Sequence, residues 1–261
     1  MRYIEAGLGS TGDTFLNKEL ITSGVVLWVD SVAGNDSNAG SKELPFATLA
    51  AAISAASGSQ GDVIVIKSGH TETLTSTITV NRTGLKIYGL GSGSSAPNFL
   101  CNAAIDLFSI TAANVELNNL YFPAATTATC TGLIDVAAAN VRIKGCTFVC
   151  GAFTQYAITI PAAGTNCRIE SCTFSVSADG PDAGVIVESA SAVGLYVYNC
   201  TFDGSTYNWV DAAVYSAAAH TSFVYDTLTF SNNAKLKHTS SSAKGICSNL
   251  IVDAAGEVSL A

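Results

Sequence analysis

The chain has 261 residues, of which only 12% are charged, and its formal net charge at pH 7 is −8. An acidic balance of this size excludes partners that need clustered Lys and Arg, so no nucleic acid and no anionic membrane surface is expected. No run of about 18 apolar residues is present to span a bilayer, and the composition does not shift along the chain, which suits one domain with an N-terminal extension.

In chain order, residues 1–24 lack the repeat found later and read as an arm for docking or oligomerisation, ahead of a single domain over 25–261. Met1-Arg2-Tyr3-Ile4-Glu5 has neither the basic flank nor the apolar core of a signal peptide, so a cytosolic product is expected. Asp30 to Gly40 reads as a loop. Its Asp36-Ser37-Asn38-Ala39-Gly40 is like the start of a calcium loop, but Ala47 stands at the twelfth place, where the ligand Glu is required. Pro45 to Ala56, with apolar residues at positions 46, 49 and 53, predicts a helix over about 45–57 that plugs the N-terminal end of the fold. Asp62-Val63-Ile64-Val65-Ile66 is expected to be the first strand. Gly89-Leu90-Gly91-Ser92-Gly93 looks like a phosphate loop, yet no helix follows to supply the amides and dipole, so it reads as a corner.

The fold class follows from a repeat. Leu117-Asn118-Asn119-Leu120-Tyr121-Phe122 aligns with Ile143-Lys144-Gly145-Cys146-Thr147-Phe148 and with Ile169-Glu170-Ser171-Cys172-Thr173-Phe174. Val197 to Phe202 and Thr227 to Phe230 are further copies, and by subtraction the phenylalanines 122, 148, 174, 202 and 230 are 26, 26, 28 and 28 residues apart. Alternation within each copy is that of a strand with one inward face, and a second strand precedes it, as in Leu133-Ile134-Asp135-Val136 and Val185-Ile186-Val187. One coil cannot bury its own apolar face, so the copies must stack. The expected fold is all-β: a right-handed parallel β-helix, with coils over about 62–261 and one N-terminal capping helix.

Stacking predicts an interior ladder of Phe122, Phe148, Phe174, Phe202 and Phe230 beside one of Leu120, Cys146, Cys172, Cys200 and Leu228. Most of the eight cysteines are therefore expected to be buried thiols, and their place in the ladder predicts that they stay reduced. Asn119, Gly145, Ser171 and Asn199 read as left-handed corner residues. Glu116, Arg142 and Arg168 share an outward position, where Glu116 could pair with Arg142. From Ile246 to Val258 the coils become shorter and less regular.

A search for chemistry yields little. Asp179, Asp182, Asp203 and Asp211 fall in turns close enough to converge, but no Lys or Arg lies between residues 169 and 234 to act as the base of a lyase. A two-carboxylate glycosidase remains open. His70, His220 and His238 have no metal-ligand spacing, and no G-x-S-x-G elbow is present. Tyr196, Tyr198, Tyr207 and Trp209 could form a sugar-binding patch, although at their spacing some should point inward. No catalytic, cofactor-binding or metal-binding residue is assigned, and no cofactor is expected.

The loop Gly34 to Gly40, the Pro45-Phe46-Ala47-Thr48 helix start, Gly61 to Ile66, Gly69-His70-Thr71-Glu72 and Ile87 to Gly93 together resemble the pectin-lyase-like superfamily of β-helices, in the versions common in tailed bacteriophages. The resemblance covers about residues 25 to 230. It implies a structural virion protein, such as a capsid decoration, fibre or spike. Such a protein would be a homotrimer that meets other virion proteins through the arm. It also implies an alternative: a polysaccharide lyase or hydrolase, or a binder of a host surface glycan. Fold alone does not choose between them.

Overall fold

Each coil is built from three strands and three corners, and successive coils stack strand on strand. The computed structural model describes residues 23–58, 61–125, 130–178, 181–204, 207, 209–217, 221–232, 234–238, 244–252 and 257–260. All but Ser23 and Gly24 of the arm lie outside these residues. Three parallel sheets result. Among the described residues the first has nine strands and runs from Val26–Val29 through Val63–Ile66, Lys86–Gly89, Glu116–Asn118, Arg142–Lys144, Arg168–Glu170, Tyr196–Tyr198 and Thr221–Asp226 to Lys244–Ser248. The second, from Thr71–Leu74 to Ile251–Val252, and the third, from Ile78–Val80 to Glu257–Leu260, have eight each. The architecture is a parallel β-solenoid with a single described α-helix.

The expectation of two strands per coil is corrected by the corner residues. Leu117 to Phe122 is not one strand: Glu116–Asn118 belongs to the first sheet and Tyr121–Phe122 to the second. Between them the backbone is left-handed, with φ of 55° at Asn119, 62° at Gly145, 54° at Ser171, 52° at Asn199 and 54° at Thr227. One such residue turns the chain sharply, so the apolar pattern runs on while the strand does not. A second column, Asn114, Asn140 and Asn166 with φ of 61°, 58° and 54°, turns each coil from the third sheet into the first. Its 26-residue recurrence is present in the sequence beside the better-marked Phe repeat.

The ladders form as expected. Phe122 pairs in register with Phe148, then Phe174, Phe202 and Phe230. Their ring centroids are 5.1, 4.8, 4.6 and 5.3 Å apart and each pair is stacked within 12° of parallel. All five rings are fully buried, as are Leu120, Cys146, Cys172, Cys200 and Leu228 beside them. The cysteines are free, and among them only Cys247 is not buried. Burial raises the Cys167 thiol to about 11 and lifts that of Cys150 further, which keeps both as inert thiols.

The N-terminal end is closed by construction rather than by the helix alone. Val26–Val29 precedes the helix and pairs with Val63–Ile66, so the strand expected to be first is the second. The helix spans Leu49–Ala55, shorter than the predicted 45–57. Pro45 to Ala47 form its approach, and the Thr48 hydroxyl caps it by accepting from the Ala51 amide. Leu49, Ala52 and Ile53, at helical spacing, are buried over the starts of the first and third sheets. The predicted loop serves the cap: one Asp36 oxygen accepts from the Ala47 and Thr48 amides and the other from the Thr48 hydroxyl. Buried Asp62 accepts from the Val25 and Ser57 amides, which lock the entry strand to the helix exit. Desolvation pulls the Asp62 pKa up, but these amides outweigh it and hold the carboxylate below its ordinary range.

Replacing Phe174 with Ala should cost about 3–5 kcal/mol of stability, because the ring has a stacked partner on both sides. Gly145→Ala should cost about 1 kcal/mol, since the left-handed backbone rather than lack of space is what an L side chain meets there. Gly145→Asn should cost less, because Asn119 and Asn199 already hold that conformation. Denaturant unfolding measures all three, and a loss below 1 kcal/mol for Phe174→Ala would contradict the ladder as the main core.

Candidate functional site

The outer face of the third sheet collects carboxylates. In each strand, side chains alternate between the core and the exterior. Asp135 thus projects outward between buried Ile134 and Val136, with Ser109 and Thr159 as its neighbours on adjacent rungs. Asp182 and Asp211 occupy successive rungs just ahead of the strands Ala183–Val187 and Ala212–Ser216, with the Asp211 amide donating to the Asp182 carbonyl at 2.9 Å. Asp106 and Glu188 flank the same sheet, and Tyr156 and Tyr215 stand among them.

These acids perturb one another. The Asp182 carboxyl is raised from 3.8, first by desolvation and then by the charge on Asp211, while a hydrogen bond from the Tyr156 hydroxyl opposes both. Asp135 is raised first by desolvation, then by Asp106 and Glu188. Desolvation also raises Asp106. A carboxyl raised in this way beside a second acid has the elements of an acid and base couple.

Of the four aspartates expected to converge, the structure brings together only Asp182 and Asp211. Asp203 belongs to the second sheet, where it accepts from Asn232 at 2.8 Å, and Asp179 lies outside the described residues. Asp106, Asp135 and Glu188 were not grouped with the pair by sequence. Their rungs align only once the coil is known to have three strands.

The histidines are accounted for differently. His70 is buried, its Nδ1 accepting from the Ser31 amide at 2.9 Å and its Nε2 lying 2.7 Å from Glu72, whose same oxygen accepts from the Leu49 amide. It ties loop, helix and second sheet together. His238 lies in the strand Lys235–His238, and His220 is outside the described residues. Among the described residues no group of three or more His, Cys, Asp or Glu is placed to hold a metal ion. No described helix is long and apolar enough to cross a membrane.

The first sheet presents a different exterior. Lys86, Glu116, Arg142, Arg168 and Tyr196 form one outward row, and the first four line, with Asn114, Asn140 and Asn166, a shallow groove of about 330 Å³. Glu116 lies 3.9 Å from Arg142, but the closer partner of Arg142 is Glu170, which accepts from its Nε at 2.8 Å. The expected aromatic patch is divided. Tyr196 and Tyr198 both face outward on either side of buried Val197 and stack 5.8 Å apart, whereas Trp209 is buried. The Arg168 guanidinium lies over Tyr196 at 5.3 Å.

No family model and no curated protein matches the chain. Among solved structures it is similar to a pectin methylesterase from Aspergillus niger, at 13% identity and TM-score 0.55, over 92% of this chain and 91% of that one. It is similar to a rhamnogalacturonan lyase, at 18% identity and TM-score 0.53, over 91% of this chain but only 63% of the lyase. Pectate lyase Pel9A matches at 14% identity and TM-score 0.52, over 89% of this chain and 78% of that one. The chain thus has the parallel β-helix fold of pectin- and pectate-lyase-like proteins, and likeness at these identities extends to the fold alone.

The raised Asp182 gives a pH prediction with a definite sign. Below the ordinary value of 3.8 the carboxyl is protonated in both folded and unfolded chains and contributes nothing; as pH rises, the folded state pays for ionising it. Asp182→Asn should therefore stabilise the protein at pH 7, with the gain vanishing as pH falls through 3.8. Thermal melts across pH 3 to 7 check this, and a variant less stable than the parent at pH 7 would contradict the crowding of these acids.

Proposed function

We propose that the protein is a structural virion component of a tailed bacteriophage, displayed on the particle as a homo-oligomer, with a trimer the expected state, and attached through residues 1–24. One observation carries this reading: much of what produces the resemblance to phage β-helices is spent on construction. Asp36 caps the helix, Asp62 joins the entry strand to the helix exit, and His70 with Glu72 holds loop and helix to the second sheet. A ladder of stacked rings then fills the interior, a construction that suits display. Protein analysis of particles of the virus that carries this gene should find the chain in fixed proportion to a capsid or tail protein. Deleting residues 1–24 should remove it from the particles while leaving the circular dichroism of the solenoid unchanged. Unchanged incorporation of the truncated chain would sink the attachment role of the arm, and absence from particles would sink the virion reading.

A second reading, a polysaccharide-cleaving or -binding spike, is favoured by the carboxylates of the third sheet. Asp182 and Asp211 sit on adjacent rungs, about 4.8 Å apart along the solenoid, a step comparable with the roughly 5–5.5 Å between the carboxyl groups of retaining glycosidases. On this reading, cleavage of a host surface polysaccharide should be abolished by Asp182→Asn and by Asp211→Asn; activity surviving in either variant would remove the pair from the chemistry.

A further inference from the structure

Between residues 83 and 234 the sequence has four cationic side chains, Lys86, Arg142, Lys144 and Arg168. All four fall in strands of the first sheet, at positions alternating with buried Ile87, Ile143 and Ile169, and so share one outer face. Glu116, Glu170 and Asp226 stand among them, Asp226 in register with outward Tyr198, which leaves this face one charge positive (4 − 3) in a chain whose net charge is −8. The third sheet carries Asp106, Asp135, Asp182, Glu188 and Asp211 on or beside its strands, against Lys235 and Lys237 in the strand Lys235–His238, and stays negative. Two faces of one solenoid thus have opposite sign, and both distribute charge along the same stack of coils.

We propose that the first sheet's outer face docks on the acidic third-sheet face of a second copy of this chain. The proposal rests on the homo-oligomer reading and names its contact surfaces. Two copies lying side by side have the same axial repeat, about 4.8 Å, so a cation aligned with a carboxylate on one rung stays aligned along the rod. Lys86 to Arg168 and Asp106 to Asp211 also extend over comparable stacks of coils. The acids contribute to the contact: Asp135 and Asp182 are raised first by desolvation and then by the charge of neighbouring acids, and a cationic face relieves the second of these. A uniform polyanion fits less well, because it would meet Glu116 and Glu170 interleaved among the cations. Contact between unlike faces is heterologous, so each copy gives one surface and receives on another. A neighbour so placed covers Asp182 and Asp211, which is compatible with display and not with cleavage of a polymer there.

Charge reversal tests the contact. One variant carries Lys144→Glu and Arg168→Glu, the other Asp182→Lys and Asp211→Lys, with folding checked by circular dichroism. Light scattering on a sizing column should give the parent a multiple of 26.7 kDa and each variant alone a single 26.7 kDa species. An equimolar mixture should recover the parent's mass, because each reversed face then meets its complement. Should a double reversal not fold, Arg168→Gln and Asp211→Asn serve instead, each expected to weaken association severalfold. A parent that stays monomeric at every concentration overturns both this contact and the homo-oligomer reading. An oligomer that persists in all the variants, or reversed variants that fail to reassociate on mixing, overturns this contact alone.

Discussion

The spacing between adjacent parallel strands, about 4.8 Å, constrains nearly every other feature of this protein. Whatever residue stands at a given place in one coil lies one strand spacing from its counterpart in the next. Side chains tolerated at that distance from their own kind are the ones the repeat can use. Flat phenylalanine rings stack at it, with centroids 4.6 to 5.3 Å apart from Phe122 to Phe230. Cys146, Cys172 and Cys200 fill it beside them as small apolar groups. Asparagine is tolerated in the left-handed corners, where Asn140 donates to Asn114 at 3.1 Å.

Charge is what this constraint tolerates least. Like charges on consecutive rungs repel, so in-register ions must alternate, find partners on other rungs, or bear the repulsion. The first sheet uses the first two solutions, with Arg142 between Glu116 and Glu170. On the third sheet Asp135 and Asp182 are raised from 3.8, first by desolvation and then by the charge of neighbouring acids. The low charged fraction of 12% follows from the same geometry. The acidic face is consequently where a partner or substrate would change the protein's energy most, since it carries unrelieved repulsion.

Much of the architecture was legible in the sequence because ladders repeat chemistry. The Phe and Cys positions gave strand type, register and interior together. The third strand per coil was hidden, since Asn119 or Ser171 interrupts the backbone without interrupting the apolar pattern. Val26–Val29 was hidden too, because an edge strand outside the repeat has no counterpart against which to align it. The candidate site was less legible. Asp182 and Asp211 were grouped from their place in the coil, but Asp135 lies two coils before Asp182 and Asp106 one further, and only the register of the third sheet brings them to one face. The cap motifs were read for chemistry as well as turns, whereas their polar atoms are used in hydrogen bonds that close the solenoid end.

Register is the central claim, and cross-linking measures it directly. Thr173 and Thr201 are outward partners on adjacent rungs of the second sheet, with a Cα separation of about 4.8 Å that lies within the range a disulfide can bridge. Thr173→Cys combined with Thr201→Cys should therefore form a disulfide under mild oxidation, in a chain whose native cysteines on that sheet are buried. Thr173→Cys combined with Asp203→Cys, two residues out of register, should not. Equal cross-linking of the two pairs, or of the shifted pair alone, would contradict the stacked coil on which this account is built.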